Sequence, residues 1–358
     1  MIKSLSPYYL TIPFASPLTS EISTAYTLQI FVWEGLKVDV PVSPIYQITK
    51  KNPTGTAGND KINISRLVND YIDFEAVPFT NSVFYNGNNQ QWVKTQVIYT
   101  TDDEDDLNIA QLQTTTLLTK GWGDGLGGEN QQSPTNRILI SGDEFKVSRT
   151  SGFTLPVLAD EDLIFPFSVE SYPTGSISFS GTISASTLSQ NLIRYIFVNL
   201  QEASTSDEYI EINFNDIVTT LLITDECRYT PIDIVFQNKE GALQFLTFFK
   251  ARIDSLQGDS EEFEFDRGQP QDGFHQFVTY NVQGRSRFKI NSGFVDESMN
   301  EAYKQLILSE RIWQFTPEQT YIPLTLASKN FEYKTRAKDR LINYELDFTY
   351  AFNDINNI

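Results

Sequence analysis

The chain carries a single histidine, His275, and a single cysteine, Cys227, among 358 residues. A serine or cysteine hydrolase built on an imidazole base would have to use His275, and no serine stands in a glycine-flanked nucleophile elbow. The alternation of Phe274, Val278, Tyr280 and Val282 predicts a strand that contains His275, on the face opposite Val278 and Tyr280. One imidazole cannot build a histidine-rich zinc site, and the cysteine spacings of zinc sites are absent. Cys227 has Glu226 beside it instead of the positive surroundings that favour a thiolate, so it reads as a small residue in or near a strand. Being alone, it forms no internal disulfide, and the fold is not expected to depend on an oxidising compartment.

Carboxylates and glycines are the other groups whose spacing could carry chemistry. Asp102, Asp103, Glu104, Asp105 and Asp106 are consecutive. A calcium loop of the EF-hand kind needs alternate acids, a glycine at its sixth position and a glutamate at its twelfth, so this run is expected to be a solvated loop. Gly123, Gly125 and Gly128 match the dinucleotide spacing, but Glu129, Asn130, Gln131, Gln132, Ser133 and Pro134 follow where a helix must open. No Gly-Lys-Ser or Gly-Lys-Thr loop is present to cradle a phosphate. The 46 acidic residues could supply the acid and base of a glycosidase, yet the required separation is spatial and nothing in the sequence selects a pair. No catalytic, cofactor-binding or metal-binding residue is therefore expected.

The elements that would position any such group read as strands. Aromatics make up 13%, with 26 Phe and 17 Tyr against 2 Met, a bias that suits pleated, half-buried surfaces. Residues 342–352 alternate Ile342, Tyr344, Leu346, Phe348, Tyr350 and Phe352 with mostly polar neighbours, predicting an eleven-residue strand that needs a large sheet beside it. Segments 321–327 and 330–334 are candidate neighbours. Residues 8–14 suit an edge strand, 26–33 a strand in the middle of a sandwich, and 192–200 a central strand covered on both sides. Further strands are expected at 45–49, 92–100, 137–140, 145–149, 176–184 and 209–214, with a loop at 52–60. Residues 229–252 read as a hairpin turning at Asn238, Lys239, Glu240 and Gly241. The acidic stretch 259–266 is expected to interrupt the sheet as a loop, and the next strand to close at Gly284. Two helices are expected: a short one capped by Ser65, and a long one opened by Asp296 that runs to about Glu310. The apolar stripe of the long helix is Val295, Met299, Ala302, Tyr303, Leu306 and Ile307.

The expectation is thus a mainly β protein: antiparallel sandwich- or barrel-like sheets in two or three units, with one short and one long helix packed on them. Its parts are an N-terminal β-sandwich at 1–120, a glycine-rich linker at 121–136, a central β-unit at 137–228 and a C-terminal β-unit with one helix at 229–358. The formal net charge of −19 opposes direct nucleic-acid binding. No run approaches the roughly 20 apolar residues of a membrane span, and Lys3, Pro7 and Pro13 do not make a secretory signal, so synthesis in the cytoplasm is expected.

In the C-terminal third, the hairpin is followed by Phe288-Lys289-Ile290-Asn291-Ser292-Gly293-Phe294 leading into the long helix, then Ser309-Glu310-Arg311-Ile312-Trp313. Ile322-Pro323-Leu324, Phe331-Glu332-Tyr333-Lys334-Thr335 and the last strand come next. This order resembles tail structural proteins of bacteriophages infecting Bacteroidetes-type hosts and, more loosely, distal-tail and baseplate-hub proteins. The resemblance covers about 130 residues. It implies a non-enzymatic virion component of the tail, made in the host cytoplasm, that assembles with copies of itself into a three- or six-fold ring. Tail tube, baseplate or receptor-binding proteins are its implied partners. A head-tail connector or tail-completion role is the alternative at the other end of the tube. A carbohydrate-binding adhesin would share the aromatic-rich β composition and would expose Trp92 or Trp122. Because phage tails also carry sugar-cleaving domains, the glycosidase class stays open.

Lys329, Lys334, Arg336, Lys338 and Arg340 stand against Glu332 and Asp339, a local charge of +3 in an acidic chain. The expected ring contact sets Lys334, Arg336, Lys338 and Arg340 against Asp259, Glu261, Glu262 and Glu264 of a neighbouring copy.

Overall fold

A computed structural model describes residues 1–15, 22–87, 90–100, 109–123, 137–159, 163–184, 192–226, 228–265, 273, 275–327, 332 and 342–354. Strands hold 53% of the described residues and helices 8%, so the protein is mainly β, as its composition predicts. The N-terminal sheet runs β1 (Ile2–Lys3), β8 (Ile109–Thr119), β7 (Gln90–Thr100), β3 (Ala25–Trp33) and β4 (Tyr46–Lys51). β3 feeds two cores, because its side chains alternate across the sheet. Tyr26, Leu28, Ile30 and Val32 meet the ribbon of β2 (Tyr9–Pro13) and β5 (Asn59–Asn63) and the helix α1 (Ser65–Val68), while Phe31 and Trp33 enter the main core.

The second sheet joins β10 (Gly152–Leu158), β13 (Ile193–Asn199) and β6 (Val83–Asn86). The third runs β12 (Ser178–Ile183), β11 (Phe165–Tyr172), β14 (Tyr209–Phe214), β15 (Ile217–Ile223) and β9 (Glu144–Val147). The largest has seven strands: β17 (Leu243–Phe248), β16 (Ile232–Gln237), β20 (Ile312–Phe315), β21 (Tyr321–Leu326), β22 (Glu345–Tyr350), β19 (Phe277–Asn291) and β18 (Ile253–Glu264). Its neighbouring strands are all antiparallel. β10, β16 and β17 are buried along their whole length, which removes the wet face that period-two patterns report.

The helix α2 (Asn300–Leu308) continues a 3-10 turn, Glu297–Met299, whose first amides are capped by Asp296: its Oδ1 accepts from the Ser298 N–H at 3.0 Å. Ala302, Tyr303 and Leu306 face the seven-stranded sheet, with the Tyr303 ring 6.0 Å from Phe248 and 4.6 Å from Tyr344.

One apolar cluster extends from Phe31 to Phe348 through all the expected units. β6 belongs by sequence to the first of them and pairs with β13 of the second. Residues 72–79 reach into the third: Phe74 stacks on Trp313 at 5.9 Å, and the Tyr321 hydroxyl donates to the Val77 carbonyl at 2.7 Å. Lys3 and Glu240, both buried, pair at 2.9 Å. Gly121, the first residue of the expected linker, lies against the β16–β17 turn so closely that a Cβ there would stand 2.4 Å from the Lys239 carbonyl oxygen. The Trp122 N–H donates to that same oxygen at 2.8 Å.

Several expectations need correction. The acidic stretch is not a loop: Asp259, Glu261, Glu262 and Glu264 lie on β18, paired with β19. β19 does not close at Gly284 but runs through it to Asn291. The final strand is shorter than eleven residues, since Ile342 makes only an isolated bridge to Val295 and the ladder covers Glu345–Tyr350. Residues 137–140 form a single bridge, Ile138 to Val157, and Arg137 before it takes a φ of +60°, outside the range of regular strand. Ser65 does not cap α1 but is its first residue; the cap position is Ile64, which makes no side-chain cap bond, and Asn63 Oδ1 accepts from the Ser65 N–H and hydroxyl. α2 stops at Leu308, short of Glu310.

Candidate functional site

Only the last third of β19 counts as sheet interior. β22 pairs with it over Arg287 to Asn291, and beyond that the root is clamped by side chains. Arg285 donates from Nη2 to the Tyr350 carbonyl at 2.7 Å and to Thr325 Oγ1 at 3.1 Å. The Asp354 N–H donates to the Gly284 carbonyl at 2.7 Å, and the Ser286 hydroxyl to Asp354 Oδ2 at 2.8 Å. Phe288 is held between Phe348, 5.6 Å away, and the Arg252 guanidinium, 4.4 Å over its ring. Past Gly284 the two strands leave the sheet as a ribbon with no third strand among the described residues. From Phe277 to Gln283, at about 3.4 Å per residue, the free ribbon reaches about 24 Å.

All twelve residues of β18 are exposed. The pairs Phe263–Val278 and Glu261–Tyr280 share one face of the ribbon, and Glu264–Phe277 and Glu262–Thr279 the other. The first face is aromatic at its tip: Phe263 lies 4.7 Å from Phe265 and 5.5 Å from Tyr280, with 40%, 38% and 45% of their surfaces open to solvent. The acids are tied across the strands by neutral partners. Glu264 accepts from Gln276 Nε2 at 2.7 Å and Glu261 from Asn281 Nδ2 at 3.4 Å. A hydrogen bond from the Tyr280 hydroxyl, then Asn281, holds the Glu261 carboxyl below the usual carboxylate range, and the same contact raises Tyr280. Between Gln257 and Phe265 there are four acids and no lysine or arginine. A bulge between Asp259 and Glu261 breaks the ladder and blunts the exposed edge.

At the root, where Ile253 faces Lys289, a cleft of about 400 Å³ opens beside Tyr229, Ile290, Gly293 and Phe294. Ile253 and Phe294 are 62% and 52% exposed. Its rim holds Lys250, paired with Glu226 at 3.1 Å, and Lys289, paired with Glu345. Lys146 donates to the Phe294 carbonyl at 2.9 Å.

The structure gathers Asp259, Glu261, Glu262 and Glu264 on this arm, whereas Lys334, Arg336, Lys338 and Arg340 lie outside the described residues. So do Cys227, residues 102–106, Gly125, Gly128 and Phe274. His275 is exposed and sits before β19 begins, not inside a strand. Trp92 is buried, its indole N–H donating to the Gly35 carbonyl at 3.1 Å, and Trp122 is half-buried, so neither offers a bare sugar platform. Among the described residues no three of the His, Cys, Asp and Glu side chains gather as a metal site, and no helix is long and apolar enough to cross a membrane. The exposed rings of the arm escape sequence reasoning, although their signal is present: Phe263 and Phe265 alternate with Glu262 and Glu264 just as Val278, Tyr280 and Val282 alternate opposite them. No protein-family model matches the chain, and no curated protein sequence is similar to it.

Proposed function

We propose that the chain is a non-enzymatic structural subunit of a bacteriophage virion, one copy in a tail or baseplate ring near the distal end of the tail. The observation that carries this reading is the ribbon past Gly284, an arm clamped at its root whose aromatic and acidic surface is exposed to solvent. A long two-stranded arm with exposed rings has no use in an isolated subunit and suits an assembly in which it is covered. The motif order from Phe288 to the last strand supports the same reading. In this ring the four acids of β18 meet the basic residues Lys334, Arg336, Lys338 and Arg340 of a neighbour, which fixes register through charge. Tail tube, baseplate or receptor-binding proteins are the further partners.

The test is the mass of the purified full-length chain, with electron microscopy of the particles it forms. A three- or six-fold ring supports the reading; a stable monomer that retains glycans on an array points to an adhesin instead. Reversing Lys334, Arg336 and Lys338 to glutamate is expected to weaken the ring in a salt-dependent way, read by sedimentation at low and high ionic strength. Rings unchanged by the reversal remove the charge contact.

A further inference from the structure

The arm's tip and the cleft at its root are complementary, and they cannot meet within one chain. The tip presents Phe263, Phe265 and Tyr280 beside Glu261 and Glu264, while the cleft is lined by Tyr229, Ile253, Ile290 and Phe294, with Lys250 and Lys289, paired with Glu226 and Glu345, on its rim. A cavity of about 150 Å³ holds one benzene, so a cleft of about 400 Å³ admits two aromatic side chains. Intramolecular docking is ruled out by length. The ladder from Ile253–Lys289 at the cleft to Glu264–Phe277 at the tip is continuous but for one bulge, and at about 3.4 Å per residue it sets the two about 37 Å apart.

We propose that the aromatic tip of one copy's arm seats in the root cleft of a second copy. The two surfaces differ, so the contact is head-to-tail: each copy both gives an arm and receives one, and the series closes into a ring if the rotation per copy allows. One such contact is small, and closure of the ring multiplies it. This inference rests on the ring reading above and names the receiving surface that it lacks.

The test uses the full chain with Cys227→Ser as background. Phe263→Cys is placed in one preparation and Phe294→Cys in another, both at exposed positions where the fold is undisturbed, as thermal unfolding of each verifies. Mixed and mildly oxidised, the two are expected to give a disulfide-linked dimer containing one of each, at least tenfold above the dimer from either preparation alone, and less of it at 1 M salt. Equal dimer from mixture and single preparations overturns the contact. Rings seen by microscopy together with no mixture-specific dimer overturn it too, while leaving the ring reading in place. A chain that remains monomeric at every concentration sinks both.

Discussion

Two buried aspartates pull the stability of this protein in opposite directions with pH. Asp233 accepts from the Ser151 hydroxyl at 2.9 Å and the Thr247 hydroxyl at 2.6 Å, and burial pushes its carboxyl up to about 7 despite them. A carboxyl raised in the folded state favours its neutral form, so its contribution is complete below the ordinary carboxylate range and is lost as pH rises from about 4 through about 7. Asp233→Asn keeps an acceptor oxygen for both hydroxyls. Its stability in urea is expected to equal the native protein's near pH 4 and to exceed it at pH 8, by up to about 4 kcal/mol at 1.36 kcal/mol per pH unit. A variant that falls below the native protein at both values contradicts this. Asp207 behaves oppositely. Burial disfavours its charge, but Ser176, Thr174 and Ser171 donate to it and together hold the carboxyl well below the usual range. Its contribution is present at neutral pH and is lost as acid approaches that lowered value. Asp207→Ala leaves these donors buried around a void and is expected to cost ~3 kcal/mol at pH 7, with the deficit shrinking in strong acid. Neither aspartate was legible in the sequence, because a carboxylate's partners come from segments far apart: Asp207 gathers residues 171–176, and Asp233 reaches Ser151.

At the scale of elements, the sequence is read correctly where one face is wet or both are greasy over a full strand. β13, β14 and the hairpin of β16 and β17 fall where alternation or continuous apolar runs place them, and α2 buries the stripe read from its spacing. The arm was misread because a ribbon wet on both sides has no core to report, and its acids imitate a loop. A direct consequence follows for stability. Since every residue of β18 is exposed, replacing 260–282 by a two-residue Asn-Gly turn between the paired Asp259 and Gln283 is expected to move the melting temperature by no more than about 2 °C. A loss of 8 °C or more in thermal unfolding would show that the arm supports the fold. Gly121→Ala acts the other way, although it changes one methyl group. The added Cβ collides with the backbone at Lys239, which cannot yield as a side chain can, and about 1–3 kcal/mol of destabilisation is expected in urea unfolding.

For the whole molecule, the expected boundaries at 121–136 and near 228 do not coincide with a break in the core. β6 pairs with β13, residues 72–79 pack on β20 and β21, and one apolar cluster joins Phe31 to Phe348. Sequence patterns near 121–136 report local polarity and glycine content; they are blind to which sheets share side chains. Calorimetry is therefore expected to record a single cooperative transition for this chain. Two separated transitions would mean that the cluster is thermodynamically divided.

The long reach of residues 72–79 also bears on how the chain is made. Phe74 and Val77 find Trp313 and Tyr321 only after some 240 further residues have been joined, and Lys3 waits for Glu240. At about 5–20 residues per second, the nascent N-terminal half carries bare rings for tens of seconds on the ribosome. Holdase chaperones would find their binding surface there, and a message truncated before Trp313 would yield a polypeptide marked for clearance.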